Sequence, residues 1–183
     1  MILASWLNLK EYESRALCVS DQHIRKGMEM EDRLSQLIDK EAIIDTINRL
    51  FISTDQRDWS AVHACFATEV YFDMASAGGG EPAWLLSRQI TDAWEQGLKG
   101  LKAIHHQVGN HLVEVHGEEA DGFCYGIASH YLPGDANGET RVFVGSYDFH
   151  LKKEEGRWRI DRFRFNLKYV EGNLDLGVST NDA

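Results

Sequence analysis

Four of the chain's eight histidines fall in one short run, AIHHQVGNHLVEVHG at 103–117: His105, His106, His111 and His116. Imidazoles this dense could bind a metal ion or move a proton, and spacing separates the two. The run has the alternation of a strand, so successive side chains take opposite faces at a rise of about 3.3 Å per residue. His105 and His111 then share one face roughly 20 Å apart, and His106 and His116 share the other roughly 33 Å apart. Zinc ligands all lie about 2 Å from their ion. No two of these histidines chelate one metal in an unbroken strand, so no metal site is expected. His111 and His116 read as ordinary strand residues. His106 can act on a proton only with a partner that another element delivers.

Asp55 is the candidate partner. In LSQLIDKEAIIDTINRLFISTD, from Leu34, the residues Leu37, Ile44, Ile47 and Phe51 fall on one stripe of an amphipathic helix. Four more residues carry Asp55 onto that stripe, near the helix C-terminus. There the macrodipole disfavours negative charge and tends to raise a carboxylate pKa. The competing reading is a helix-ending aspartate turned to solvent.

The elements that must position this pair follow from the changing period. Asp58 is placed to N-cap a second short helix in DWSAVHACF. VYFDMAS reads as a strand ended by Gly78, Gly79 and Gly80. EPAWLLSRQITDAWEQGL reads as a third helix, with Pro82 in its first turn and Gly97 and Gly100 near its end. The period then falls to 2, with extended runs at 103–116, 119–132, 141–153 and 157–169 separated by turn-forming segments. Helices followed by an antiparallel meander define an α+β order. Residues 1–33 lack a sustained period and read as an N-terminal extension, either a short helix docked on a neighbour or a poorly ordered segment. A domain at 34–172 follows, then a tail at 173–183.

Composition narrows the class. The 183 residues carry a net charge of −10 and 43% hydrophobic residues. An acidic chain of this size suits one domain and argues against a nucleic-acid or anionic-membrane surface. Cys18, Cys65 and Cys124 form no CxxC pair, so neither a zinc site nor a disulfide framework is expected. No signal-peptide pattern or membrane-length apolar run is visible, and the expected location is cytoplasmic. There is no GxGxxG or P-loop pattern, and no cofactor is expected.

DQRDWSAVHACFATEVYFD, followed by a helix, then IHHQVGNHLVEV, SHYL, GSYDFHL and GRWRIDRFRF, resembles the SnoaL-like branch of the nuclear transport factor 2-like superfamily in order and spacing. The resemblance spans about 34–172. It implies a cone-shaped barrel, a strongly bent antiparallel sheet wrapped around a pocket and closed by N-terminal helices. The nearest functional matches are scytalone dehydratase, hexachlorocyclohexane dehydrochlorinase and bile-acid 7α-dehydratase, which share an Asp–His dyad. That dyad falls on Asp55 in TDQRDW and His106 in HQVGN. The match to scytalone dehydratase adds His130, and Ser146 and Asp148 in GSYD, as substrate-binding groups. Asp148 stands where that enzyme has Asn, and two of its substrate-facing tyrosines fall on Thr54 and Met74. These departures weigh against scytalone itself as the substrate.

The implied activity is cofactor-free elimination or dehydration of a small, hydrophobic substrate, with cyclic compounds among the candidates. An imidazole poised near neutral pH takes the proton, and a carboxylate on its other nitrogen fixes the tautomer. Met74 and Trp94 are candidates to line the pocket, and Arg164 to reach an anionic group at its mouth. Strand parity offers two arrangements. Either the aromatic faces of the second and third extended runs are buried, or Cys124, Gly126, Ala128 and His130, with Val142, Val144, Ser146 and Asp148, line the pocket while the aromatics meet another subunit or helix. The resemblance favours the second, and with it a homodimer or homotrimer. Two other classes stand beside the lyase. A ketosteroid-isomerase-like activity would use Asp73 as its base, and a non-catalytic reading makes the chain a small-molecule-binding or scaffold subunit.

Overall fold

The computed structural model describes residues 3–177, with side chains from Glu29 onward. The first helix, α1, runs unbroken over Leu3–Gln56. The expected extension is thus continuous helical backbone as far as it is described, with no break at 33/34. Two compact units divide between Asp39 and Lys40. The tail beyond Gly177 lies outside the described residues.

In the second unit, α1 buries Ile43, Ile47, Leu50 and Thr54, with Phe51 beside them. This spacing of four, three and four is one face of a helix. The stripe is turned slightly from the expected one, since Ile44 is only half-buried and Leu37, in the first unit, is exposed. Two adjacent isoleucines satisfy the helical period equally well, and only the packing partner chooses between them. The helix ends at Arg57, which takes a left-handed φ of 58°. Its N–H donates to the Thr54 carbonyl and that of Asp58 to the Ser53 carbonyl, the two bonds of a Schellman helix terminus. Asp58 then caps α2 (Trp59–Cys65), its side chain accepting from the Ala61 N–H at 3.0 Å.

A six-stranded sheet follows: β1 (Phe66–Asp73), β2 (Ala83–Leu86), β3 (Ala103–His116), β4 (Glu119–Tyr131), β5 (Thr140–Glu154) and β6 (Arg157–Gly172). Its order is β2-β1-β6-β5-β4-β3, antiparallel throughout except for the β1–β6 pair. The sheet curls without closing into a barrel, and β2 and β3 are its edges. The third helix is shorter than its sequence suggests. α3 covers Ser87–Leu98, while Ala83–Leu86 pairs with β1 and places Trp84 against Tyr71. Four residues after a proline extend readily, and an open sheet edge was there to pair them. Gln89 accepts from the Leu86 N–H at 2.9 Å at the start of α3.

The core lies between α1, α2 and α3 and the inner face of the sheet, with Phe66, Val70, Phe149, Leu151, Ile160 and Phe163 buried. Burial of each such side chain contributes about 1.5–3 kcal/mol. Cys65 and Cys124 are buried free thiols. No described helix is long and apolar enough to cross a membrane.

Candidate active site

The last turn of α1 and the first half of β3 meet at one carboxylate. Asp55 Oδ1 lies 2.6 Å from His106 Nδ1. Asp55 Oδ2 accepts the backbone N–H of His106 at 2.8 Å. One side chain thus holds a residue by both its amide and its ring, which fixes strand position and ring orientation together. With Nδ1 directed at a carboxylate, the ring proton sits on Nδ1, and Nε2 is left as a lone-pair acceptor. The His106 ring packs on Phe51, four residues before Asp55, with centroids 5.2 Å apart. His105 points the other way and is exposed, though its Nδ1 still lies 3.6 Å from Asp55 Oδ2.

His106 opens onto a cavity of about 250 Å³, whose walls are mainly aromatic and aliphatic. Trp94 of α3, Met74 after β1, and Phe143, Tyr147 and Phe165 of the sheet line it. Met74 and Trp94 are thus both on the cavity wall. The aromatic side chains of β5 do not take the face expected of them. Pairing puts Cys124 opposite Tyr147, Gly126 opposite Gly145, and Ala128 opposite Phe143. The small face of β4 and the aromatic face of β5 are the same face of the sheet. Gly126 shows why they suit each other: a Cβ there would lie 2.2 Å from Tyr147 Cε2.

The expectation that Ser146 and Asp148 line the pocket is corrected by this register. Ser146 pairs with Tyr125 and Asn166, and Asp148 with Phe123 and Arg164, on the opposite face. Asp148 is exposed and accepts from Asn166 Nδ2 at 2.7 Å. Arg164 is also turned away from the cavity. Its Nε donates to Asp73 Oδ2 at 2.8 Å, and Asp73 Oδ1 accepts the Ala75 N–H. Asp73 is thereby committed to a structural ion pair, while its neighbours Phe72 and Met74 face the core and cavity. Nothing in this placement offers it a substrate proton.

His130 is on the cavity wall, one step diagonally from His106, because Ile104 pairs with His130 and His106 with Ala128. It is buried and its pKa is lowered to about 4, chiefly by desolvation, then by the charges of Arg141 and His106, with Asp55 opposing. At neutral pH it is an uncharged imidazole. Burial pushes the Tyr147 phenol well above its usual range, so it remains a neutral hydroxyl. The cavity thus holds one carboxylate-oriented imidazole among otherwise neutral polar groups. Among the described residues, no group of three or more His, Cys, Asp or Glu could hold a metal ion.

Sequence reasoning did not find Tyr147, Phe143 and Phe165 as cavity residues. Their alternation was visible, but which face turns inward depends on how many residues the 132–139 connection inserts between β4 and β5.

A model of the SnoaL-like domain matches residues 35–164. No curated protein matches the chain. Among solved structures, the Kfla4162 protein of Kribbella flavida is similar at 21% identity and a TM-score of 0.71, over 74% of this chain and 95% of that one. A protein of Novosphingobium aromaticivorans assigned as a scytalone dehydratase aligns at 15% identity and a TM-score of 0.67, over 75% of this chain and 89% of that one. A hexachlorocyclohexane dehydrochlorinase of Novosphingobium barchaimii aligns at 14% identity and a TM-score of 0.63, over 78% and 95%. At these identities the likeness is one of fold.

Proposed function

The chain belongs to the SnoaL-like domain family, and within that fold we propose that it is a cofactor-free lyase acting on a small, neutral, hydrophobic substrate. The observation that carries the proposal is the double hold of Asp55 on His106, whose ring opens onto an apolar cavity. His106 Nε2 removes a proton from a carbon beside an activating group. The C–H electron pair becomes the new C=C bond, and the adjacent substituent leaves with its own bonding pair. A halide departs as the anion, whereas a hydroxide collects the proton from the His106 imidazolium and departs as water. Asp55 stabilises the imidazolium between these steps without taking the proton. His130, uncharged, donates a hydrogen bond to oxygen on the substrate. The similarity of fold to a dehydrochlorinase and to a protein assigned as a dehydratase supports this class of reaction.

The test is turnover on a panel of cyclic secondary alcohols, β-hydroxy carbonyl compounds and halides, read by mass spectrometry. His106→Ala is expected to lower kcat by about 10²–10⁴, the usual worth of a general base, and Asp55→Asn to lose most of the same activity. Tight ligand capture with no product from any compound would instead make the chain a binding subunit. Self-association belongs to the same proposal. Leu112, Tyr125 and Ile127 are exposed on the outward face of the sheet, and apolar surface of this kind supports a dimer or trimer. Sedimentation velocity measures it.

A further inference from the structure

We propose that Arg141 is a positioning residue for the site, holding His130 in the tautomer that turns an N–H donor into the cavity. This rests on the lyase reading only for its consequence in turnover, because the tautomer itself is a property of the resting protein.

Arg141 and His130 are direct partners across the β4–β5 ladder. Arg141 Nη2 lies 3.4 Å from His130 Nδ1. A guanidinium has only N–H donors, so at this contact Nδ1 must be the acceptor. The imidazole proton is then on Nε2, the reverse of the arrangement at His106. Two histidines on one wall thus carry opposite tautomers, each set by its partner. A carboxylate leaves His106 Nε2 bare to take a proton, and a guanidinium leaves His130 Nε2 protonated to donate a hydrogen bond.

The guanidinium is itself held on two further sides. Nη1 donates to the Leu174 carbonyl at 2.9 Å. Its plane lies over the Phe143 ring at 5.3 Å. The Leu174 carbonyl belongs to a turn fixed by Asn173, whose N–H donates to the Thr140 carbonyl and whose amide donates to the Gly138 carbonyl. Among the described residues, the buried Arg141 Nε has no hydrogen-bond partner, so the guanidinium is held through its terminal nitrogens. The segment after the last strand therefore belongs to the supporting shell of the site, although it contributes no group to the cavity wall.

The titratable and charged groups that act on His130 are Arg141 from β5, His106 from β3 and Asp55 from α1, with Asp175 acting on Arg141 from its far side. Of these, Arg141 is the cation in contact with the ring. Its loss removes both the tautomer lock and a charge that opposes protonation.

The test is nitrogen-15 NMR of the histidine side chains in the full chain, with His130 assigned by His130→Gln. In the wild type, His130 is expected in the Nε2–H form at neutral pH. In Arg141→Met, a tautomer mixture is expected, with the His130 titration midpoint about one pH unit or more higher, the usual effect of removing an adjacent like charge. Arg141→Lys, which restores the charge without the planar fork, should recover the midpoint more fully than the tautomer. A wild-type His130 in the Nδ1–H form overturns the proposal, and needs no variant that must fold. An unchanged tautomer and midpoint in a folded Arg141→Met overturns it too. Turnover is measured alongside: in Arg141→Met, kcat falls with KM little changed if the lyase reading holds. An inactive wild type with the expected tautomer would refute that reading and leave this one standing.

Discussion

Among the described residues, two carboxylate–imidazole pairs have nearly the same geometry. Asp55 meets His106 at 2.6 Å, and Asp161 meets His150 at 2.5 Å, each between Oδ1 and Nδ1. The difference lies in what surrounds them. The second oxygen of Asp55 accepts a neutral backbone N–H, so the negative charge stays available to the ring. The second oxygen of Asp161 lies 3.1 Å from Lys152 Nζ, which neutralises it. His106 opens onto an apolar cavity. His150 sits at an irregularity of the β5–β6 ladder, with Asp121 and Arg162 as its strand partners. A short contact between Asp and His is therefore no signature of proton transfer. The dielectric around the ring and the competition for the carboxylate decide whether the pair does chemistry or only fastens two strands.

The comparison can be broken most sharply by removing each imidazole. His150→Ala is expected to leave turnover unchanged, against the loss of two to four orders of magnitude expected at His106, and equal losses would show that the two pairs do not differ as argued. Stability should respond in the opposite sense. Asp161→Ala leaves His150 and Lys152 without their buried partner and is expected to cost about 1–3 kcal/mol in denaturant unfolding. Asp55→Asn keeps acceptor capacity for the His106 amide, so it should cost less.

Filling the cavity tests whether its space, and not the pair alone, makes the site. Gly126→Ala pushes a methyl into the Tyr147 ring, which is wedged against Phe51 and Phe165 and cannot swing away freely. About 1–3 kcal/mol of destabilisation is expected, with turnover reduced while Asp55 and His106 stay in contact. The most gradual effect is on pH. His130 has a folded-state pKa near 4, below the ordinary value of 6.5. Between those values the unfolded chain binds a proton that the native chain does not. Stability contributed by this group is therefore present above about pH 6.5 and is lost as pH falls towards 4, with a slope of at most about 1.4 kcal/mol per pH unit. His130→Gln should flatten that part of the curve.

The four long strands were legible because turn-forming residues bracket alternating runs, and their observed limits differ from the expected ones by at most three residues. The Asp58 cap was legible from local chemistry alone. The placement of Asp55 beside His106 also agrees with the family resemblance and the helical stripe. What was not legible depends on partners remote in sequence. AWLL carries a helical pattern, and only the open edge of β1 makes it a strand. Ser146 and Tyr147 exchange faces according to hairpin register, which composition does not encode. Arg141 has no motif around it. Its importance comes from a carbonyl thirty-three positions away.

The irregularity in β3 lies within its histidine run. Between Gly109 and Leu112 two residues stand opposite one on β4, and Asn110 takes a left-handed φ of 57°. Half-buried residues on the two sides of this joint, His106 and Val108 before it, and His111, Val113 and Val115 after it, stay in phase because Asn110 is surplus to the alternation. Excising it would splice the two halves into one continuous ladder with every inward side chain still inward. Loss of that one residue is thus tolerated by the alternation, and the acid–base machinery upstream is left as it was.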